Sequence, residues 1–269
     1  MLSVIVPSDH DAALVIHREP PLAWLTINRP AAHNALNAEV WEGLAARAAE
    51  LSSDRDVRVV IVRGAGERAF ISGADITEFR ALRNSAAKAA DYDALSARAW
   101  AVLNQAPQPV IAMINGLCFG GGVAIALACD LRFAADHARF AVPAARLGLA
   151  YPLPAVERLV HVVGPTHAAD ILLSTRALAA DEALRIGLVN RVVPGTQLES
   201  ETRAYALAMA EGAPLTLAAH KLAIQYSLRT LGHDPAAVHE AVRRCFDSLD
   251  YQEGIAAFLE RRKPRFRGE

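Results

Sequence analysis

Asn115-Gly116-Leu117-Cys118-Phe119-Gly120-Gly121-Gly122 decides how this chain reads, because of its two flanks. Ahead of it, Pro109-Val110-Ile111-Ala112-Met113-Ile114 is short, apolar and rich in β-branched residues, the pattern of a buried strand. Behind it, Val123-Ala124-Ile125-Ala126-Leu127-Ala128-Cys129-Asp130 is apolar all round and alanine-rich, the pattern of a buried helix. Three glycines therefore stand where a strand gives way to a helix. The first helical turn has backbone N–H groups without partners, and glycines let a ligand approach them. Such a place suits an anion, or a carbonyl oxygen that is gaining negative charge. The plainer reading is that the glycines only let the helix pack tightly.

A second stretch bears on that choice. Val57-Arg58-Val59-Val60-Ile61-Val62 reads as another buried strand, followed by Gly64-Ala65-Gly66-Glu67-Arg68-Ala69-Phe70-Ile71-Ser72-Gly73-Ala74-Asp75-Ile76. Together the two stretches resemble the enoyl-CoA hydratase/isomerase (crotonase) family. In that family an A-F-x-x-G-A-D-I segment and an N-G-x-x-x-G-G-G segment each give one backbone N–H to an oxyanion hole for an acyl-CoA thioester. The matching positions are Ala74 and Gly121. The resemblance continues in Ile27-Asn28-Arg29-Pro30 with Asn34-Ala35-Leu36, in Ala183–Val193 and in Glu253–Pro264, and leaves only about the first ten residues outside. It implies an α/β fold: a spiral core of ββα turns over residues 1–196, and an all-helical oligomerisation part over residues 197–269 that builds trimers or dimers of trimers. Coenzyme A then enters as part of the substrate, with no tightly bound cofactor.

Composition narrows the setting. A chain of 269 residues that is 53% hydrophobic has ample material for a core. Lys plus Arg, 28, nearly equals Asp plus Glu, 29, so no global field draws it to nucleic acid or an acidic membrane. Cys118, Cys129 and Cys245 include no C-x-x-C, and two lie in apolar runs, which predicts reduced thiols in a cytoplasmic protein. Met1 to His10 does not read as a secretion signal. No apolar segment approaches the roughly 18 residues of a membrane span. The histidines show no H-E-x-x-H and no zinc-like spacing, so no metal site is expected.

Along the chain, Ala13–His17 and Leu22–Ile27 read as a hairpin around Glu19-Pro20-Pro21. Asn37 is placed to cap a helix from Ala38 to about Leu51, with Val40, Leu44, Ala48 and Leu51 on one stripe. Asp181 reads as the cap of a short helix that ends at Gly187. From Gln197 onward the pattern is helical. No internal repeat is visible. Gly64-Ala65-Gly66-Glu67-Arg68-Ala69 also fits the G-x-G-x-x-A of nucleotide-binding folds. That motif needs a helix at once and an acid about 20 residues on, and Phe70-Ile71-Ser72-Gly73 and Leu82–Ala86 supply neither.

Side chains must choose the reaction. Family hydratases use two glutamates, one three residues beyond the middle glycine and one before the L-G pair, to handle the water. Here those positions are Ala124 and Ala144, and the later carboxylate position of some relatives is Pro152. Tyr151, in Gly148-Leu149-Ala150-Tyr151-Pro152, is similar to a tyrosine of the family's methylmalonyl-CoA decarboxylases that helps position the substrate. The match is partial, because a histidine of that group is replaced by Ala74. A neutral phenol can donate a hydrogen bond, or Tyr151 can simply pack at a strand end. Glu157 and His161 lie one and two helical turns further on and read as solvated residues or as part of the same pocket. The resemblance also implies that Ala69, Phe70, Asp75 and Ile76 of the first oxyanion segment lie beside coenzyme A, with Asp75 steadying its turn. The resemblance puts Arg29 on the adenine side and Arg261 on the coenzyme A phosphates, where a guanidinium forms paired bonds. Two function classes follow: an acyl-CoA enzyme of this family, for which classical hydration is not expected and malonyl-type decarboxylation using Tyr151 is the alternative reaction, or an acyl-CoA-binding protein that kept the oxyanion hole and lost chemistry.

Overall fold

The computed structural model describes residues 12–78, 82, 86–228 and 235–269; the first ten residues read for a secretion signal lie outside them. β1 (Leu14–Glu19) and β2 (Leu22–Ile27) form the expected antiparallel hairpin. α1 (Ala38–Ser52) starts at its expected cap: Asn37 Oδ1 accepts the Val40 N–H at 3.0 Å, satisfying one of the orphan donors of the first turn. Its stripe of Val40, Leu44, Ala48 and Leu51 is buried.

Three ββα turns follow. The first is β3 (Val59–Gly64), β4 (Ala69–Ile71) and α2 (Ala86–Gln105). The second is β5 (Val110–Ile114), β6 (Leu117–Phe119) and α3 (Gly121–Ala128). The third is β7 (Leu131–Ala135), β8 (Arg139–Ala141) and α4 (Leu153–Ala169), the last broken at Gly164, where φ is 77°. β9 (Leu178–Ala179), α5 (Ala180–Arg185) and β10 (Arg191–Val193) complete the α/β part. The first strand of each turn enters a six-stranded sheet ordered β1-β2-β3-β5-β7-β10, and the second enters a four-stranded sheet ordered β4-β6-β8-β9. The spiral is thus a structural repeat that the sequence conceals. Its helices have 20, 8 and 17 residues, so no fixed period survives.

Apart from the hairpin, the larger sheet is parallel, and both of its faces are covered. Val60, Val62, Ala112 and Ile114 face the core shared with the smaller sheet. Val59, Ile61, Ile111 and Met113 face the other way, under Leu198, Ala206 and Ala210 of α6 (Leu198–Ala210). Burial on both faces is why these strands read as continuous apolar runs rather than alternating ones. β3 begins two residues later than expected, because Val57 N–H still bonds the Asp54 carbonyl in the preceding turn.

α7 (Pro214–Ser227), α8 (Pro235–Phe246) and α9 (Leu249–Glu260) follow α6, and among the described residues no strand occurs after Val193. On these helices and their ends Ile224, Val242, Phe246 and Leu249 are exposed and Leu217 and Leu228 half-buried. Asp181 is not a cap. β9 runs straight into α5, Ala179 takes the cap position without a side-chain bond, and Asp181 sits in the first turn 3.7 Å from Arg185. Gly187 does adopt a left-handed φ of 78°. Cys118 and Cys129 are buried free thiols, and desolvation pushes the Cys129 thiol up to about 12. Among the described residues no helix is long and apolar enough to cross a membrane.

Candidate active site

The turn carrying Ala74 is built by residues far from it in sequence. Gly64–Ala69 leads into β4 rather than a helix, so it lacks the helix N-terminus that a dinucleotide phosphate needs. It is tied instead to Asn34, which is fully buried. Asn34 Nδ2 donates to the carbonyls of Ala69 at 2.7 Å and Ala65 at 3.0 Å, and Asn34 Oδ1 accepts the Arg29 N–H at 3.0 Å. Leu36 then forms a parallel bridge to Ala74: Leu36 N–H bonds the Gly73 carbonyl at 2.8 Å, and Asp75 N–H bonds the Leu36 carbonyl at 2.9 Å. In such a bridge the middle residue directs its own N–H to the opposite side. The Ala74 N–H therefore turns away from Leu36, and Ala74 lines a cavity.

Gly121 is the first residue of α3, where an N–H has no partner within the helix. Gly120 before it holds φ 48° and ψ −111°, a conformation that a side chain would strain. A Cβ on Gly122 would overlap the Ile71 carbonyl oxygen. The plainer reading of the triplet is thus right for Gly122, which lets α3 close onto β4. That approach puts Gly121 beside Ala74: a Cβ built on Gly121 would lie 3.7 Å from the Ala74 nitrogen.

Both residues line one cavity of about 400 Å³, together with Ala124, Ala144, Tyr151 and Pro152. Ala124 lies one helical turn beyond Gly121, and Ala144 lies on the short helical turn Pro143–Leu147. Neither can exchange a proton. The Tyr151 hydroxyl donates to the Gly120 carbonyl at 3.0 Å, and desolvation holds its phenol well above the ordinary range, so it stays protonated. Its proton is directed at the backbone of the glycine turn rather than into the cavity. Tyr92 does the same on the other side. Its hydroxyl accepts from Trp41 Nε1 at 2.9 Å and donates to the Leu36 carbonyl at 3.2 Å.

Asp93 is the one carboxylate among the described wall residues, and the sequence reading missed it. The signal was present: Asp93, Ser96, Ala97, Trp100 and Ala101 recur at helical spacing, and all five line the wall. Glu157 and His161 are exposed and not part of the wall, which settles them as solvated.

Other expected ligand contacts fall in different places. Ala69 and Phe70 lie in β4 at 1% and 0% exposure, so their side chains belong to the core and offer no ligand surface. Ile76 is exposed on the cavity rim. Arg29 is turned inward: its guanidinium donates to the Ala35 carbonyl at 2.6 Å and to Asp75 Oδ2 at 2.9 Å. Asp75 also accepts from the Thr77 hydroxyl at 2.7 Å and the Thr77 N–H at 3.2 Å. These bonds, the Thr77 hydroxyl foremost and Arg29 next, hold its carboxyl below the usual range against the opposing effect of burial. Asp75 is therefore a fixed anion that steadies the Ala74 turn. Arg261 is exposed and stands outside the cavity wall. It occupies the left-handed position after α9 with φ 55°, while Arg262 N–H reaches back to the Ala257 carbonyl at 3.0 Å. Arg262 pairs with Glu253 at 2.6 Å and Lys263 with Glu211, whereas Arg261 makes no ion pair among the described residues.

Residues 18–269 match the family model described as enoyl-CoA hydratase/isomerase. The chain is 34% identical to the short-chain-enoyl-CoA hydratase of Clostridium acetobutylicum, over 93% of its own length and 95% of the relative's. It is 35% identical to the crotonyl-CoA hydratase of Syntrophomonas wolfei, covering 94% and 97% of the two chains. The crystal structure of an enoyl-CoA hydratase/carnithine racemase from Magnetospirillum magneticum superposes with a TM-score of 0.91 at 41% identity, over 96% of each chain. The chain belongs to the enoyl-CoA hydratase/isomerase family.

Proposed function

We propose that the protein is an acyl-CoA thioester enzyme that holds a thioester carbonyl, and the enolate charge that develops on it, between the Ala74 and Gly121 N–H groups. The observation that carries this reading is the meeting of the two amides on one cavity whose walls at the hydratase positions are Ala124 and Ala144. Fixed backbone donors need neither ionise nor reorganise as charge appears, and each is worth about 10²–10³ in rate. Family hydratases are expected to need two carboxylates to add water. With methyl groups in both places, a reaction that forms an enolate with little acid–base help suits this cavity better. Decarboxylation of a malonyl-type thioester is such a reaction: the C–C bond breaks, its electron pair becomes the enolate, carbon dioxide leaves, and one proton returns.

Asp93 distinguishes two versions of this chemistry. As a wall carboxylate it can supply or remove a proton at the α-carbon, which would support isomerisation. If it plays no such part, decarboxylation or silent acyl-CoA binding is favoured. Ile76 and Arg261 are the exposed candidates for coenzyme A contact, Arg261 from a neighbouring subunit. Exposed Ile224, Phe246, Leu249 and Leu259 support assembly as a trimer or a dimer of trimers.

The test is a mass-spectrometric panel of enoyl-, dienoyl-, malonyl- and 3-hydroxyacyl-CoA thioesters, run on the wild type and on Asp93→Asn. Turnover of one class is expected, and an Asp93→Asn loss of about 10²-fold or more would assign proton transfer to Asp93. Binding of acetyl-CoA without turnover of any member would favour silent binding. Absence of any binding would overturn the proposal.

A further inference from the structure

We propose that Tyr151 is a positioning residue that aims the Gly121 N–H by gripping the carbonyl of the same peptide unit. The inference rests on the oxyanion reading of Gly121 above. The Gly120 carbonyl and the Gly121 N–H belong to one planar trans amide, so they point in opposite directions, and fixing one fixes the other. The Tyr151 hydroxyl donates to that carbonyl at 3.0 Å, and the Ala124 N–H bonds it from within α3 at 3.2 Å. On the near side, the Gly120 N–H is held by the Ala141 carbonyl at 2.8 Å.

The need for this grip lies in the glycines. Gly120, at φ 48° and ψ −111°, and Gly121 after it carry no side chains, so packing cannot fix the intervening amide plane. The carbonyl takes two bonds, one from within α3 at 3.2 Å and one from Tyr151 at 3.0 Å. Tyr151 adds a donor from a segment 31 residues away, set on a ring packed against the core. A hydrogen bond to an amide oxygen also draws electron density from the amide nitrogen and makes its N–H a stronger donor. Tyr151 would thus act on the oxyanion twice, through direction and through polarisation, without touching it.

The experiment is difference infrared spectroscopy of acetyl-CoA labelled with ¹³C at the thioester carbonyl, bound to the wild type, to Tyr151→Phe and to protein carrying 3-fluorotyrosine at position 151. Bound to the wild type, the carbonyl band should move to lower frequency than in free acetyl-CoA. Tyr151→Phe should bind acetyl-CoA within about three-fold of the wild type, because coenzyme A supplies most contacts, yet show a clearly smaller band shift. Fluorotyrosine, a stronger donor of nearly the same size, should enlarge the shift, and this keeps the proposal testable if Tyr151→Phe folds poorly. Equal shifts in all three proteins would overturn the positioning role while leaving the oxyanion reading intact. No shift in the wild type itself would instead overturn the oxyanion reading on which it rests.

Discussion

Arg29 Nη2 and Asp75 Oδ2 meet at 2.9 Å across 46 residues of chain, and the pair clamps the turn that presents Ala74. Neither group is left available for proton transfer, because Asp75 is also bonded twice to Thr77. Asp75→Asn should cost about 1–2 kcal/mol of stability at neutral pH, the scale of removing one charged partner from a part-buried pair. The sign of its pH dependence follows from the depressed carboxyl: Asp75 stabilises the fold above its unfolded value, near 4, and that contribution fades as pH falls through the lower folded value. Melting curves of wild type and variant should therefore begin to converge as the pH falls below about 4 and meet below the depressed folded value. A gap that stays constant into acid would remove the ion pair from the account.

The adjacent glycines should separate cleanly. A methyl group on Gly121 would meet Leu36 Cδ1 at 3.0 Å, a flexible side-chain end that can give way, and would stand 3.7 Å from the Ala74 nitrogen. Gly121→Ala is expected to fold, with turnover reduced by about 10²-fold through obstruction of the space between the donors. Gly122→Ala pushes a methyl into the Ile71 backbone oxygen and should lose about 3 kcal/mol or fail to fold. Thermal denaturation and turnover measured on both variants check the pair of outcomes, and the reverse order would contradict the packing described.

Arg261 lends itself to a test in which stability and binding move in opposite directions. A non-glycine residue in its left-handed conformation carries a strain of about 1–2 kcal/mol. Arg261→Gly should raise the melting temperature and at the same time weaken coenzyme A binding, more at low salt than at high salt. Calorimetry that finds unchanged coenzyme A affinity at low salt would remove Arg261 from the binding site.

How much of this was legible in the sequence depends on the range of the interactions. Apolar runs, the Asn37 cap and the glycine stop at Gly187 are local, and they were readable from a few adjacent residues. The three ββα turns were visible only through the family resemblance, because turns of unequal length erase periodicity. Ala74, Gly121 and Tyr151 line one cavity, and the direction of the Tyr151 hydroxyl depends on a partner 31 residues away. Asp181 misled because a polar residue near a helix start is a capping signal only when the chain enters from a loop, and here it enters from β9. Phe70 shows a different limit. Its segment matches the family's motif, but strand alternation and burial, which the motif does not state, put its ring in the core. Asp93 lay at helical spacing with Ser96 and Trp100 and needed only the question of what α2 faces.

The central claim, that the cavity keeps the two thioester donors while carrying methyl groups where hydration needs carboxylates, is tested most directly by hydration of crotonyl-CoA. The wild type should hydrate it at least ~10²–10⁴-fold more slowly than family hydratases, the range ascribed to one general acid or base. Ala124→Glu combined with Ala144→Glu should raise that rate. Efficient hydration by the wild type would contradict the account, and its loss in Asp93→Asn would then assign the proton transfer to Asp93.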